Sequence, residues 1–267
     1  GTWNFGSGKL TVGQDYNRYW TGSQQVHGDD NGNNGYGALW DGRQPQIRVD
    51  MNNGFYFAAI SPKGNQAFAL NTTTGLVDND GNQETGPTAG NDSYLPKLNV
   101  GYAGKAGSFA YNAGLVGQFY KDKAVDEQIT ALMGYVTGKY TMGGTALGFT
   151  ASYGQNVGNM GFLSRMSYDA TNAENVSGFE GMLTLEQKLS DTLSFNAGFG
   201  YVTDKSGADG AKRDDRMLLF ANMPVKLAKY VTLVPEISYY DQLDETSADA
   251  TSEAKSWAVG AKWQIDF

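Results

Sequence analysis

Apolar and polar residues alternate one by one along most of this chain. In the C-terminal segment 257–267 every second residue is apolar, and the residues between them are mostly small or polar. A β-strand turns successive side chains to opposite faces, so this pattern predicts a strand with one apolar face and one polar face. The same alternation recurs upstream, for example at 193–201 and 231–239. No segment requires the period of about 3.6 residues that is typical of a helix.

The alternation predicts about twelve strands, which are joined by short and long connections in turn. The short connections include Asn52-Asn53-Gly54 and Gly143-Gly144, which favour tight hairpins because asparagine and glycine accept positive φ. The long connections are rich in Gly, Asn, Asp, Ser and Thr. The predicted strands are 9–19, 45–52, 54–61, 95–103, 107–120, 127–141, 144–155, 178–189, 192–204, 215–227, 230–241 and 255–267.

Short turns on one side and long polar loops on the other are typical of an outer-membrane barrel. A soluble β-sandwich alternates as well, but its strands are usually shorter and its second face must fill a core. Here that second face carries small residues that would leave a core unfilled, among them Gly114, Gly134, Gly198 and Gly260. We therefore expect an all-β fold, a transmembrane antiparallel β-barrel whose polar face meets water.

Composition and charge narrow the range of functions. No stretch of 18 apolar residues is present, so no membrane-spanning helix is predicted. The net charge of -8 does not suit DNA or RNA, because phosphate binding needs clustered Lys and Arg. The chain has no cysteine and one histidine, His27, which lies in a polar loop. We therefore predict no enzyme activity, no metal site and no cofactor.

The sharpest motifs lie toward the two ends of the chain. The last predicted strand finishes on an aromatic residue, and the segments 8–14 and 42–47 are strand sequences that begin with glycine. These motifs resemble those of proteobacterial outer-membrane porins of the general-diffusion type, in which 42–47 would follow the constriction loop. The residues that resemble the terminal-strand signal of the assembly machinery are Gly260, Trp263, Ile265 and Phe267.

The resemblance implies a water-filled channel for passive diffusion of ions and small hydrophilic solutes. It also implies a homotrimer in the bacterial outer membrane, in contact with membrane lipid and lipopolysaccharide. In such porins about four strands precede the point where this chain begins, which would make 1–267 a single barrel domain with a truncated N-terminus and part of a 16-stranded barrel. If the 267 residues were the entire barrel, strand 9–19 would pair with strand 255–267.

Two other functions stay open at this point. A narrower, 12-stranded, substrate-specific channel would differ from a general porin in strand number and pore radius. An outer-membrane barrel enzyme would need a polar catalytic cluster, usually with histidine, and the position of His27 in a loop argues against it.

The loop 20–44 is the candidate constriction, because the resembled porins fold their third external loop into the lumen. Opposed acids and arginines there would set a transverse field across the water, and we expect a weak cation preference that salt attenuates. The alternative is that this loop caps the mouth and that the longer loop 62–94 narrows the channel. The predicted constriction residues are Asp29, Asp30, Asp41, Arg43, Arg48 and Asp50.

Charged residues that alternate with apolar neighbours along the strands are predicted to face the lumen. A charge on the lipid face would cost about 2–4 kcal/mol at the midplane of the bilayer. Aromatic residues near the strand ends are predicted to form two girdles at the level of the lipid headgroups. The predicted residues of the lumen wall are Glu180, Glu186, Lys188, Lys226, Glu236 and Lys262.

Overall fold

The computed structural model describes residues 1–30, 32–62, 91–93, 95–122, 126–162, 165–243 and 255–266. These residues form one antiparallel sheet and two short helices, the α-helix His27–Asp30 (α1) and the 3₁₀ helix Val157–Met160. The strands are Thr2–Asn4 (β1), Gly8–Tyr16 (β2), Arg43–Met51 (β3), Phe55–Ile60 (β4), Asn91–Asp92 (β5), Lys97–Ala106 (β6), Phe109–Asp122 (β7), Glu127–Met142 (β8), Thr145–Gln155 (β9), Val176–Lys188 (β10), Ser194–Ser206 (β11), Arg213–Asn222 (β12), Val225–Ala228 (β13), Val231–Asp241 (β14) and Lys255–Ile265 (β15).

The predicted all-β antiparallel fold is confirmed, and the strand bounds differ from the predicted ones by no more than three residues at either end. The described residues form fifteen strands rather than twelve for three reasons. β1 lies before the twelve, within residues 1–5, whose sequence indicates the end of a strand, and β5 pairs with β7 beyond the start of β6. The predicted strand 215–227 is divided at Met223 and Pro224 into β12 and β13, which both pair with β14. Proline has no backbone N–H to donate to a ladder, which accounts for the interruption.

β5 and β6 occupy one position in the sheet, and β12 and β13 occupy another. Each position pairs with the next along the chain, so the sheet is an up-and-down meander. Among the described residues, β1 pairs only with β2, and β15 pairs only with β14. β2 pairs with β1 and β3, and not with β15. The described sheet is therefore open between β1 and β15.

The two faces of the sheet are opposite in character. Apolar side chains on one face, which we call the outer face, are exposed: Leu115 is 64% exposed, Leu183 59% and Val259 79%. The other face, the inner face, carries polar and charged side chains that are buried, including Asn99 and Glu180. Within the described part of the chain, no helix is long and apolar enough to cross a bilayer.

Residues 17–30 and 32–42 cover the inner face, and we call them the inner segment. The segment passes so close to the sheet that its backbone touches the backbone of two strands. A Cβ atom added at Gly37, whose φ is +99°, would lie 2.2 Å from the carbonyl oxygen of Gly181 in β10. A Cβ atom added at Gly200 in β11 would lie 1.7 Å from the carbonyl oxygen of Tyr36. Only glycine fits at these two positions.

A cluster of buried apolar residues lies on the inner face, where a second stretch of chain packs beside the inner segment. This stretch, residues 156–162 and 165–168, follows β9 and contains the 3₁₀ helix; we call it the second inner segment. The sequence predicts a long polar connection here, yet the side chains of Val157, Met160 and Phe162 are buried. The cluster comprises Tyr19, Leu39, Ala58, Ile60, Val116, Ala131, Met133, Tyr135, Val157, Met160 and Phe162.

The close approach at Gly200 leads to a testable prediction. The substitution Gly200→Ala should push the inner segment away from β11, and it should lower the unfolding temperature of the detergent-solubilised protein. The matched control is Gly134→Ala in β8. The sequence predicts Gly134 on the polar face, but it lies on the outer face. An added Cβ atom there would come no closer than 3.4 Å to its nearest neighbour, Leu115 Cδ2, which is an ordinary contact. Equal unfolding temperatures for the two variants would contradict the close packing of the inner segment.

Candidate functional site

Asp41 holds the C-terminal end of the inner segment against the sheet. Its side chain is buried and accepts hydrogen bonds from Asn17 Nδ2 at 2.9 and 3.0 Å, Tyr19 Oη at 2.5 Å and Gln44 Nε2 at 2.9 Å. Lys97 at the start of β6 completes the set, with its Nζ 2.7 Å from Asp41 Oδ2. Burial, and then the charge of Asp41, raises the pKa of the Tyr19 phenol, so that this hydroxyl stays a donor.

A second group of charges lies where β2 and β3 meet the inner segment. Arg48 donates from Nε to Asp50 Oδ2 at 3.0 Å and from Nη2 to Asp15 Oδ2 at 3.1 Å. Arg18 donates from Nε to Asp50 Oδ1 at 2.7 Å, and its guanidinium lies 5.5 Å from the centre of the Tyr56 ring. Two cations and two acids balance in this group, so it forms a fixed local field without a net charge.

Glu236 in β14 holds the middle of the inner segment. Its carboxylate accepts hydrogen bonds from the backbone N–H of Val26 at 2.7 Å and of His27 at 2.9 Å, where α1 begins. It also accepts from Asn222 Nδ2 at 2.9 Å and from Ser238 Oγ at 2.9 Å. A carboxylate is well suited to the first N–H groups of a helix, because these donors have no partner within the helix. The inner segment therefore crosses from the β6 region of the sheet to β14.

The structure brings together three of the six residues predicted for the constriction. Asp41, Arg48 and Asp50 belong to the two charged groups at the base of the inner segment. Arg43 does not join them, because it lies at the outward positions of β3; its guanidinium packs 4.8 Å from the centre of the Tyr16 ring. Asp29 and Asp30 belong to α1, and their side chains lie outside the described structure.

The alternative loop 62–94 falls largely on residues 63–90 and 94, outside the described residues. The choice between the two loops therefore rests on the inner segment alone, which does lie on the inner face.

The six residues predicted for the lumen wall lie, by strand alternation, on the face that carries the inner segment. Glu180 is buried there, and Glu186 pairs with Lys139 at 2.8 Å. Lys188 pairs with Asp191 at 2.6 Å near a turn. The remaining three residues are Lys226, Glu236 and Lys262. Lys226 and Lys262 are placed on this face by their cross-strand partners on β14, and Glu236 is placed there by its own position in β14.

The residues that resemble an assembly signal lie on β15, at an edge of the described sheet. Trp263 is 59% exposed and Ile265 is 49% exposed, both on the outer face. A Cβ atom added at Gly260 would meet no atom within 4 Å. Phe267 lies outside the described residues.

Sequence reasoning missed the second inner segment and two ion pairs that hold the inner face together. Lys97 with Asp41 is one pair; Arg165 in the second inner segment with Asp204 in β11 is the other, with Arg165 Nη2 2.9 Å from Asp204 Oδ1. The signal that could have revealed the segment is the spacing of Val157, Met160 and Phe162 within an otherwise polar loop. No group of three or more His, Asp or Glu side chains that could hold a metal ion occurs among the described residues.

Comparison with solved structures identifies the architecture. The outer membrane channel DcaP of Acinetobacter baumannii superposes with a TM-score of 0.72 at 15% sequence identity, covering 97% of this chain and 71% of that one. Outer-membrane expressed OmpT of Vibrio cholerae gives a TM-score of 0.51 at 18% identity, covering 96% of this chain and 74% of that one. An in-vitro folded trimer form of the same OmpT gives 0.50 at 17% identity, with the same coverage. At these identities the likeness shows a shared fold.

The likeness is visible only in three dimensions. The sequence matches no protein-family model and no curated protein sequence.

The role of Glu236 can be tested by hydrogen exchange. Glu236→Ala should expose the amides of Val26 and His27 to exchange, because each loses its acceptor. A hydrogen bond to a charged group contributes about 1.5–3 kcal/mol, and about 1.4 kcal/mol corresponds to a factor of ten, so protection should fall about tenfold or more. Glu186→Ala removes an acid from the same face without touching the inner segment and should leave both amides protected. Unchanged protection in Glu236→Ala would contradict the anchoring.

Proposed function

We propose that this protein is a porin: a channel in the outer membrane of a Gram-negative bacterium for passive diffusion of ions and small hydrophilic solutes. The observation that carries the proposal is the inverted character of the sheet, which exposes a continuous apolar outer face while a polar chain segment covers its inner face. Water would not stabilise such an outer face, whereas hydrocarbon would. The fold shared with the DcaP channel agrees with this proposal.

The described sheet supports closure into a barrel but does not itself close. β1 and β15 each have an edge of backbone groups that no described strand pairs, and an unpaired backbone group costs several kcal/mol in hydrocarbon. We infer that residues 1–267 are one transmembrane barrel domain. β5 shares a position in the sheet with β6, and β12 shares one with β13, so the fifteen strands fill thirteen positions, and we infer that three further strands join β1 to β15 in a 16-stranded barrel. We propose a homotrimer surrounded by outer-membrane lipid and lipopolysaccharide; the trimer form of OmpT is an example of this state in the shared fold.

The inner segment is the proposed constriction. It lies between β6 and β14 on the inner face, where a solute crossing the barrel would meet it. The charged group of Arg18, Arg48, Asp15 and Asp50 supplies a local field at the constriction, because its cations and acids sit side by side in fixed positions and largely cancel at longer range. With a chain charge of -8 and carboxylates such as Glu236 on the same face, we infer a weak preference for cations.

We propose no catalytic role for the protein. The sole histidine, His27, has its Nδ1 atom 2.7 Å from Tyr240 Oη, in the contact between the inner segment and β14. This contact holds the inner segment to β14.

The constriction can be tested by measuring reversal potentials of the full-length protein in planar bilayers under a KCl gradient. The double variant Asp29→Asn/Asp30→Asn removes two acids from α1 and should shift the permeability ratio of K⁺ to Cl⁻ toward one. The control Asp191→Asn/Asp209→Asn removes the same charge from exposed positions away from the inner segment, and it should shift the ratio less. A clear anion preference of the wild type, or equal shifts in both variants, would contradict the assignment of the constriction to the inner segment.

The membrane assignment of the outer face can be tested with two neighbouring residues of β10. Leu183 lies on the outer face and Thr184 on the inner face. Leu183→Arg should lower the free energy of unfolding from lipid vesicles by about 2–4 kcal/mol if the residue lies near the midplane, whereas Thr184→Arg should cost much less. A larger loss for Thr184→Arg would mean that the faces are assigned the wrong way round.

A further inference from the structure

The two inner segments pack against each other as one body. Tyr19 and Leu39 of the inner segment, and Met160 and Phe162 of the second, are all almost completely buried. The rings of Tyr19 and Phe162 lie 5.3 Å apart, centre to centre, and the rings of Tyr19 and Tyr135 of β8 lie 5.8 Å apart. Such contact requires that the two segments keep a fixed position relative to each other, because a shift would open a cavity between them.

Lys97 is the point at which the wall, the inner segment and the second inner segment meet. Its side chain is completely buried; Nζ donates to Asp41 Oδ2 at 2.7 Å and to the carbonyl oxygen of Met160 at 3.2 Å. The ammonium lies 5.9 Å from the centre of the Tyr19 ring. A buried ammonium is tolerated only where its partners hold it, so its position fixes the position of both segments.

The second inner segment is itself tied to the wall. Arg165 binds Asp204 of β11 through Nε and Nη2, and Asp204 also accepts the backbone N–H of Met166 at 2.9 Å. The carbonyl oxygen of Asn159 accepts a hydrogen bond from Gln118 Nε2 of β7 at 3.1 Å. The segment therefore has its own anchors on either side of the contact with Lys97.

We propose that the narrow part of the channel is a composite of the two inner segments, and that Lys97 is the positioning residue that locks them together. The inference rests on the proposed channel function. It follows that a change in the second inner segment, which contributes no residue to the predicted constriction, alters conduction through the inner segment. Lys97 has this effect through Asp41 and Met160, and not as a charge in the path of the ions, because its side chain is completely buried.

Single-channel recording of the full-length protein tests the proposal. Lys97→Met keeps the length of the side chain but leaves Asp41 without its buried cation. We expect each pore of the wild type to open to one level, and we expect Lys97→Met to add sublevels with fast transitions. The double variant Lys97→Met/Asp41→Asn should be quieter than Lys97→Met. The control is Lys139→Met, which removes the same charge from the same face, where Lys139 and its partner Glu186 are half exposed. Lys139→Met should change ion preference without adding levels.

Phe162→Ala provides a second variant, which opens a cavity between the two segments and leaves every charge in place. It should also add conductance levels. If Lys97→Met and Phe162→Ala both lower the unfolding temperature but add no level within a pore to those of the wild type, the second inner segment is merely structural and the proposal is overturned.

A measurement without ion flow separates this inference from the proposed function. Trp20 of the inner segment is 44% exposed, and chymotrypsin cleaves after it where the chain can leave the wall. In detergent, Lys97→Met and Phe162→Ala should be cleaved there faster than the wild type and Lys139→Met. Faster cleavage of the two variants, in a protein that conducts no ions, would contradict the proposed channel function and support the joining of the two segments. Equal cleavage rates in all four proteins would overturn the joining.

Discussion

A sheet that is one layer thick has no second sheet or helical layer against which to pack its side chains, and this constraint governs the whole molecule. Each strand offers one row of side chains to each side, so the two sides must find separate environments. The outer row is largely apolar and exposed, and the inner row is largely polar, with one apolar cluster, and is buried where chain segments fold back on it. The inner segment is therefore a structural requirement of the wall as well as the proposed constriction.

Charge on the inner face is arranged chiefly in neighbouring pairs of opposite sign. Lys97 with Asp41 and Arg165 with Asp204 are almost fully buried, while Lys139 with Glu186 is half exposed. Loss of one partner of a buried pair leaves an uncompensated charge and is strongly destabilising, whereas an exposed pair contributes little. The buried pairs therefore hold segments in place, whereas the exposed charges remain accessible to water and ions.

The period of two identified nearly every strand, because alternation is imposed locally by the strand itself. The same alternation could have placed Arg43 correctly, since it is an odd number of positions from Arg48 and so faces the other way. The roles of Lys97 and of the second inner segment could not be derived in this way. They depend on contacts such as Lys97 with Met160, which join residues 63 positions apart, and no local pattern records which loop folds inward.

The inner segment is fastened at its C-terminal end and in its middle by partners at very different distances along the chain. Asp41 finds Lys97 after 56 residues, whereas Gln25 bonds Tyr240 Oη after 215 residues. The free energy of closing a loop rises only slowly with its length. The contact at Gln25 closes a loop nearly four times longer than the contact at Asp41, yet the longer loop costs only about 1 kcal/mol more in closure entropy. The middle of the inner segment can therefore be held by the far side of the sheet at little more entropic cost than its C-terminal end is held by the near side.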